Sequence, residues 1–169
     1  MRLWDVAEHL TQEGLRLDST DAQDFFLRSA VNRYYYDIFY QTRELMLKLQ
    51  IWDFERERHK QLPLKLEKEV LALVDKHAHL IYGLGGDSHR LADSLKARAR
   101  SAAKGQAQLL KRACEERVKA DYDPEVQSEI RGEDFRISRI WVSDLRTWSD
   151  KSHANLSDLY DVLEALALV

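Results

Sequence analysis

Residues 20–49 read TDAQDFFLRSAVNRYYYDIFYQTRELMLKL, and the spacing of their apolar side chains decides the fold class. Leu27, Val31, Tyr34, Ile38, Gln41 and Leu45, continuing to Lys48 or Leu49, follow a near-heptad, while Tyr35, Phe39, Thr42 and Met46 form a second stripe beside it. Residues three or four apart share a helix face, so two adjacent stripes predict one long helix buried over a wide arc. A helix covered on several sides is what the central member of a bundle must be. The aromatic crowd it carries therefore reads as core rather than as a platform for stacking bases. Thr20 with Gln23 has capping-box spacing, which places the start of this helix.

The same period extends in both directions. A short first helix is expected from Trp4 to about Leu17, with Leu3, Ala7, Leu10 and Gly14 or Leu15 on one face. After Ile51–Gln61, where the period fails, Pro63 suits the first turn of a third helix carrying Leu66, Val70, Leu73, Val74, His77, Leu80 and Ile81. Gly83, Gly85 and Gly86 are read as its end and turn. They lack the spacing of a phosphate-binding loop. A fourth helix is expected from Ser88 to Lys119, burying Leu91, Leu95, Ala99, Ala102, Leu109, Leu110, Ala113 and Cys114. Pro124 is expected to end helical structure near Ala120–Asp123. A polar connector then leads to Gly132, and Ile137, Ile140, Trp141, Leu145, Trp148, Ser152, Leu156, Leu159, Leu163 and Leu166 keep helical phase. That phase permits one long helix, or a separate final one capped by Asn155 with Asp158. The apolar stretch Leu163–Val169 is expected to dock, either on its own bundle or across a homodimer.

Composition agrees with an all-α chain of about five helices, up and down, forming a single domain over residues 1–169. Apolar residues make up 44% and charged residues 33%, which suits amphipathic elements, and only six Gly and two Pro occur, too few for a many-turned β protein. The net charge of −3 excludes a surface that is basic throughout. Basic residues do gather at Lys96, Arg98, Arg100, Lys104, Lys111, Arg112, Arg117 and Lys119, opposed by Glu115 and Glu116. A solvated helix face is the favoured reading of that run, and a nucleic-acid track the minority one. One cysteine, Cys114, forbids an intrachain disulfide, the N-terminal residues carry no apolar export signal, and no stretch suits a membrane span. A cytoplasmic address follows as the expectation.

Two segments carry a family likeness: Arg28-Ser29-Ala30-Val31-Asn32-Arg33-Tyr34-Tyr35-Tyr36-Asp37-Ile38-Phe39, and Arg117-Val118-Lys119-Ala120-Asp121-Tyr122-Asp123. Both resemble the HEPN superfamily of small helical bundles. Arg28, Ala30, Arg33, Tyr35, Tyr36 and Phe39 match the second-helix pattern of that family, and Arg117, Ala120, Asp121 and Tyr122 its Arg-x-x-Ala-Asp-Tyr variant. The resemblance implies a bundle of four or five helices, frequent dimers, and roles in defence, toxin–antitoxin or RNA-processing systems. Some members are partnered with a nucleotidyltransferase that modifies a tyrosine near the motif, which makes Tyr122 the candidate here.

The resemblance also implies a site in which Arg28, Asn32, Arg33 and Asp37 bind, Arg33 and Arg117 holding phosphate while Asn32 and Asp37 orient them. Ribonuclease members of the family place a His about four to six residues after the Arg. Here Arg117 is followed by Asp121 and Tyr122, and an ordinary Asp stays ionised near neutral pH and is a poor general acid. Arg117 also reads simply as a cation near a helix C-terminus. Arg146 and His153 have the bare spacing of the nuclease motif without its sequence context. Three functions stay open: a module contacting RNA or a nucleotide-handling partner, a catalytically inactive scaffold, and a metal-independent endoribonuclease using Arg146 and His153. No metal set is expected, since His77 and His79 point to different sides of a helix, and no cofactor fingerprint or DNA-binding motif is present.

Overall fold

The computed structural model describes residues 2–51, 59–82 and 87–169. The protein is mostly helical. Its elements are α1 (Leu3–Arg16), α2 (Thr20–Lys48), a 3-10 turn (His59–Gln61), α3 (Leu62–Lys65), a π-helical stretch (Leu66–Val70), α4 (Leu71–Tyr82), α5 (Ser88–Tyr122), β1 (Ser128–Arg131), β2 (Asp134–Ile137), β3 (Ile140–Trp141) and α6 (Val142–Ala165). The expected glycine turn at Gly83, Gly85 and Gly86 and most of the aperiodic stretch after Ile51 lie outside the described residues.

The chain divides into two compact units, with boundaries inside α2, α5 and α6. The first comprises Met1–Tyr40 and Leu110–Asp150. Its core is built from Leu27, Val31, Tyr34, Tyr35, Ile38 and Phe39 of α2, with Phe135, Ile137 and Ile140 of the sheet and Leu145 and Trp148 of α6, all at most 3% exposed. Both stripes of the second helix are thus buried here, as the spacing requires.

The second unit comprises Gln41–Leu109 and Lys151–Val169. Leu45 and Met46 continue the α2 stripes, and Leu62, Leu66, Val70, Val74, Ala92, Ala99, Ala103, Leu159 and Leu163 complete a core in which the alanines of α5 permit close packing. Leu80 and Leu91 were expected in the core and are 68% and 54% exposed. Val70, Val74 and Ala78 occupy one face, and Leu80, two residues past Ala78, points to another side. Leu91 lies in the first turn of α5, at the edge of the arc set by Ala92, Leu95 and Ala99.

Three boundaries differ from expectation for identifiable reasons. Helix α2 is capped by Ser19, whose Oγ accepts from the Ala22 amide at 3.5 Å, while the Gln23 side chain donates to the Leu17 carbonyl instead of completing a box with Thr20. Helix α5 continues through Ala120, Asp121 and Tyr122. Pro124 restricts only the residue before it, Asp123, so the Ala-Asp-Tyr segment forms the last turn rather than a break.

The third is the stretch before α6, which is a three-stranded antiparallel sheet in the order β1-β2-β3 and not helix. Arg131 pairs with Asp134 and Ile137 with Ile140, so each connection has two residues. Gly132 and Ser138 have φ of 63° and 58°, a left-handed first loop residue that suits type II′ hairpin turns. Phe135 and Ile137 bury one face of β2 at a period of two, a spacing that Ile137, Ile140 and Trp141 disguise as helical phase.

Helices α2 and α6 end alike. Ile51 donates to the Met46 carbonyl at 3.0 Å and Gln50 to Leu47 at 3.0 Å, and Leu168 donates to Leu163 and Ala167 to Glu164, each at 2.9 Å. Both are Schellman caps with a non-glycine residue in the left-handed position, Gln50 at φ 57° and Ala167 at φ 53°. This cap, with Leu163 and Leu166 buried in the second unit, explains the apolar C-terminal stretch. Helix α6 is unbroken through Asn155. Left-handed backbone costs a residue with a Cβ about 1–2 kcal/mol, so Gln50→Gly and Ala167→Gly are each expected to raise stability by about 1 kcal/mol. A thermal melt showing no rise for either would contradict the assignment.

Candidate functional site

The two segments that carry the family likeness meet within the first unit, and each residue there has a definable task. Arg28 donates from Nη1 to the carbonyls of Ala120 at 2.9 Å and Asp123 at 3.0 Å, and its Nε pairs with Asp24. The last carbonyls of a helix have no partner within it, so Arg28 caps the C-terminus of α5. Asp24 also accepts from the Ser128 amide at 2.9 Å and so anchors the start of the sheet.

Asn32 donates through Nδ2 to Asp121 Oδ1 at 3.0 Å and Oδ2 at 2.9 Å. Arg117 Nε lies 2.7 Å from Asp121 Oδ2, close enough for an ion pair but out of line for a hydrogen bond. The same guanidinium sits over the rings of Tyr36 and Tyr122, 5.7 and 5.5 Å from their centroids. Burial alone pushes the Arg117 charge toward neutrality, but Asp121, Tyr36 and Tyr122 outweigh it and hold the pKa above the ordinary arginine value. Arg117 is therefore a permanent cation clasped between two aromatic faces. Both oxygens of Asp121 are thus engaged, by Asn32 and by the Arg117 ion pair.

The aromatic residues of α2 split between two environments. Tyr34, Tyr35 and Phe39 are core, at 1%, 1% and 3% exposure, as expected. Tyr36 and Tyr40 depart from that expectation: their rings stack at 5.7 Å and 27° on the outer side of the helix, where Tyr40 is 37% exposed. Phe25 and Tyr122, at 68% and 70%, are also exposed in this unit. Arg33, one residue past Asn32, is exposed and makes no hydrogen bond or ion pair among the described residues.

Asp37 has a different task from the orienting one expected of it. Buried at 6% exposure, it accepts from the Trp4 amide at 3.2 Å and from Ser149 Oγ at 3.1 Å. It thereby satisfies an unpaired amide in the first turn of α1. Arg146 is anchored on one edge: its Nε donates to Glu8 Oε1 at 2.9 Å and Oε2 at 3.2 Å, and Glu8 also accepts from the Tyr34 hydroxyl. His153 is exposed and falls in the second unit.

The basic run of α5 is largely neutralised in place. Lys96 pairs with Asp93, Arg98 with Asp158 and Asp161, Arg100 with Asp75, and Lys119 with Glu116. This supports the solvated-face reading over a nucleic-acid track. Among the described residues no group of His, Cys, Asp and Glu is arranged to hold a metal, and no helix is long and apolar enough to cross a membrane.

Comparison with family models, with curated proteins and with solved structures finds no match to this chain.

Proposed function

We propose that this chain is a HEPN-like helical module of a prokaryotic-type defence, stress or toxin–antitoxin system, acting as a dimer or with a partner protein and contacting RNA through the first unit. The observation that carries this reading is the surface formed by Arg33, Tyr36, Tyr40, Arg117 and Tyr122. The exposed rings of Tyr122 and Tyr40 can stack on unpaired bases, Tyr36 and Arg117 brace them from beneath, and the exposed Arg33 guanidinium can donate to phosphate. The module is read as binding without cutting because no His follows Arg117 in the motif and Asp121 is spent on pairing Asn32 with Arg117. A partner nucleotidyltransferase would find Tyr122 accessible at the end of α5.

Anisotropy with a labelled single-stranded RNA pool, run with and without chelator, tests this reading alongside the mass of the protein in solution. Binding without cleavage is expected, weakened about tenfold or more by Tyr122→Ala, since base–aromatic stacking is worth about 1–3 kcal/mol. Absence of RNA binding by a dimer would favour the inactive scaffold, and a monomer would count against a site completed by a second copy. Chelator-resistant cleavage abolished by His153→Ala would establish the nuclease reading instead. Cleavage unchanged by that substitution would rule it out.

A further inference from the structure

We infer that the first unit carries a separate ligand site, a cleft of about 430 Å³ suited to a phosphate monoester whose body bears hydroxyl groups, the chemistry of a sugar phosphate. It is lined by Gln12, Leu15 and Arg16 of α1, by the hairpin-turn residues Gly132 and Glu133, and by Arg146 of α6. Its volume lies within the range of small-molecule sites. This inference goes beyond the RNA-binding reading and does not depend on it.

Arg146 is held ready at one edge. Both of its hydrogen bonds to Glu8 leave from Nε, and Glu8 is itself fixed by the Tyr34 hydroxyl. Thr11 Oγ1 lies 3.5 Å from that hydroxyl and donates to the Ala7 carbonyl at 2.9 Å. The guanidinium is thus oriented by a chain of contacts while its terminal amino groups donate nothing to Glu8, and the side chain is 39% exposed. A planar cation braced in this way keeps a fork for an oxyanion.

Arg16 supplies a second cation. Its partner among the described residues is Glu13, one turn away, in a pair whose arginine is 71% exposed. Such surface pairs are worth little, so turning Arg16 toward a bound phosphate costs little. The acidic neighbours decide the ligand class. Glu8 is occupied by Tyr34 and Arg146, and Glu13 by Arg16, whereas Glu133 has no partner among the described residues. Its carboxylate repels both phosphates alike but can accept hydroxyl groups only from an ester body, which recovers the repulsion for the ester and not for the inorganic anion. Across the turn, Gly132 carries no side chain and a Cβ there would meet nothing within 4 Å.

A titration of the isotope-labelled protein followed by NMR tests the site, using ribose 5-phosphate, inorganic phosphate and sodium chloride at matched ionic strength. Saturable shifts at the Gln12, Gly132 and Glu133 amides are expected with ribose 5-phosphate, about tenfold tighter than with inorganic phosphate. Arg16→Ala, at an exposed position, and Arg146→Lys, which keeps the charge but removes the fork, should each weaken binding about tenfold. Glu133→Gln should strengthen inorganic phosphate and narrow the discrimination. Shifts that chloride reproduces, inorganic phosphate binding as tightly as the ester, or a titration indifferent to both arginine substitutions would overturn the proposal.

Discussion

Gln106→Leu is expected to destabilise the second unit by about 2–4 kcal/mol, through hydrogen bonds rather than volume. Gln106 is fully buried, and its Nε2 donates to Thr42 Oγ1 at 2.7 Å and to Ser152 Oγ at 2.9 Å. Its Oε1 accepts from Asn155 Nδ2 at 3.4 Å, and Ser152 donates onward to Gln41 Oε1 at 3.3 Å. Leucine fills similar space but removes three buried hydrogen bonds at once, those of the Gln106 amide to Thr42 Oγ1 and Ser152 Oγ and that of Asn155 to its carbonyl oxygen. Deleting one member of a connected buried network costs more than a single exposed hydrogen bond contributes. The adjacent Gly105 belongs to the same arrangement, because a Cβ there would lie 3.0 Å from Asn155 Oδ1. A urea titration should show a lowered midpoint with an unchanged slope. A neutral result would mean that Thr42 and Ser152 find each other once Gln106 is gone.

Stability is expected to fall steeply as pH rises above about 10, where ordinary tyrosines ionise. Burial, then the hydrogen bond to Glu8, pushes the Tyr34 hydroxyl well above the usual tyrosine range, and burial, then the neighbouring Cys114, does the same for Tyr35. A raised folded-state pKa means that the unfolded chain loses these protons first. The unfolded state then binds fewer protons than the native one, so the stabilisation present below the ordinary value is lost as pH climbs toward the folded-state value. Each residue contributes a slope of about 1.4 kcal/mol per pH unit in that window. Tyrosinate absorbance followed together with circular dichroism should show Tyr34 and Tyr35 ionising only as helix signal disappears. Smooth ionisation of all seven tyrosines with the fold intact would contradict the burial argument.

Local spacing made most of the helical scaffold legible. The α2 stripes held because three- and four-residue steps from Leu27 to Met46 return to a buried face at every position but Gln41. The sheet escaped because a strand's stability lies in a ladder to another segment, while Ile137, Ile140 and Trp141 fit a helical phase as well as a short hairpin. The alternation of Phe135 with Ile137 after Gly132 was the available signal. At the site, residue types were visible but their allegiances were not. Asn32 and Asp121 sit in different helices, and Glu8 and Arg146 are separated by most of the chain.

The sequence by itself determined the helical class, the long second helix and the presence of two motif-bearing segments, since these follow from side-chain period and residue type alone. Only the tertiary structure decided which charges are spent. It set Arg28 on the α5 carbonyls, Asp37 on the first turn of α1 and Arg117 between two tyrosines, while Arg33 stayed open. The physical reason is that charges and hydrogen-bond donors take their partners from whatever packing brings within about 3 Å, and that proximity is set by the contact of helices distant in sequence.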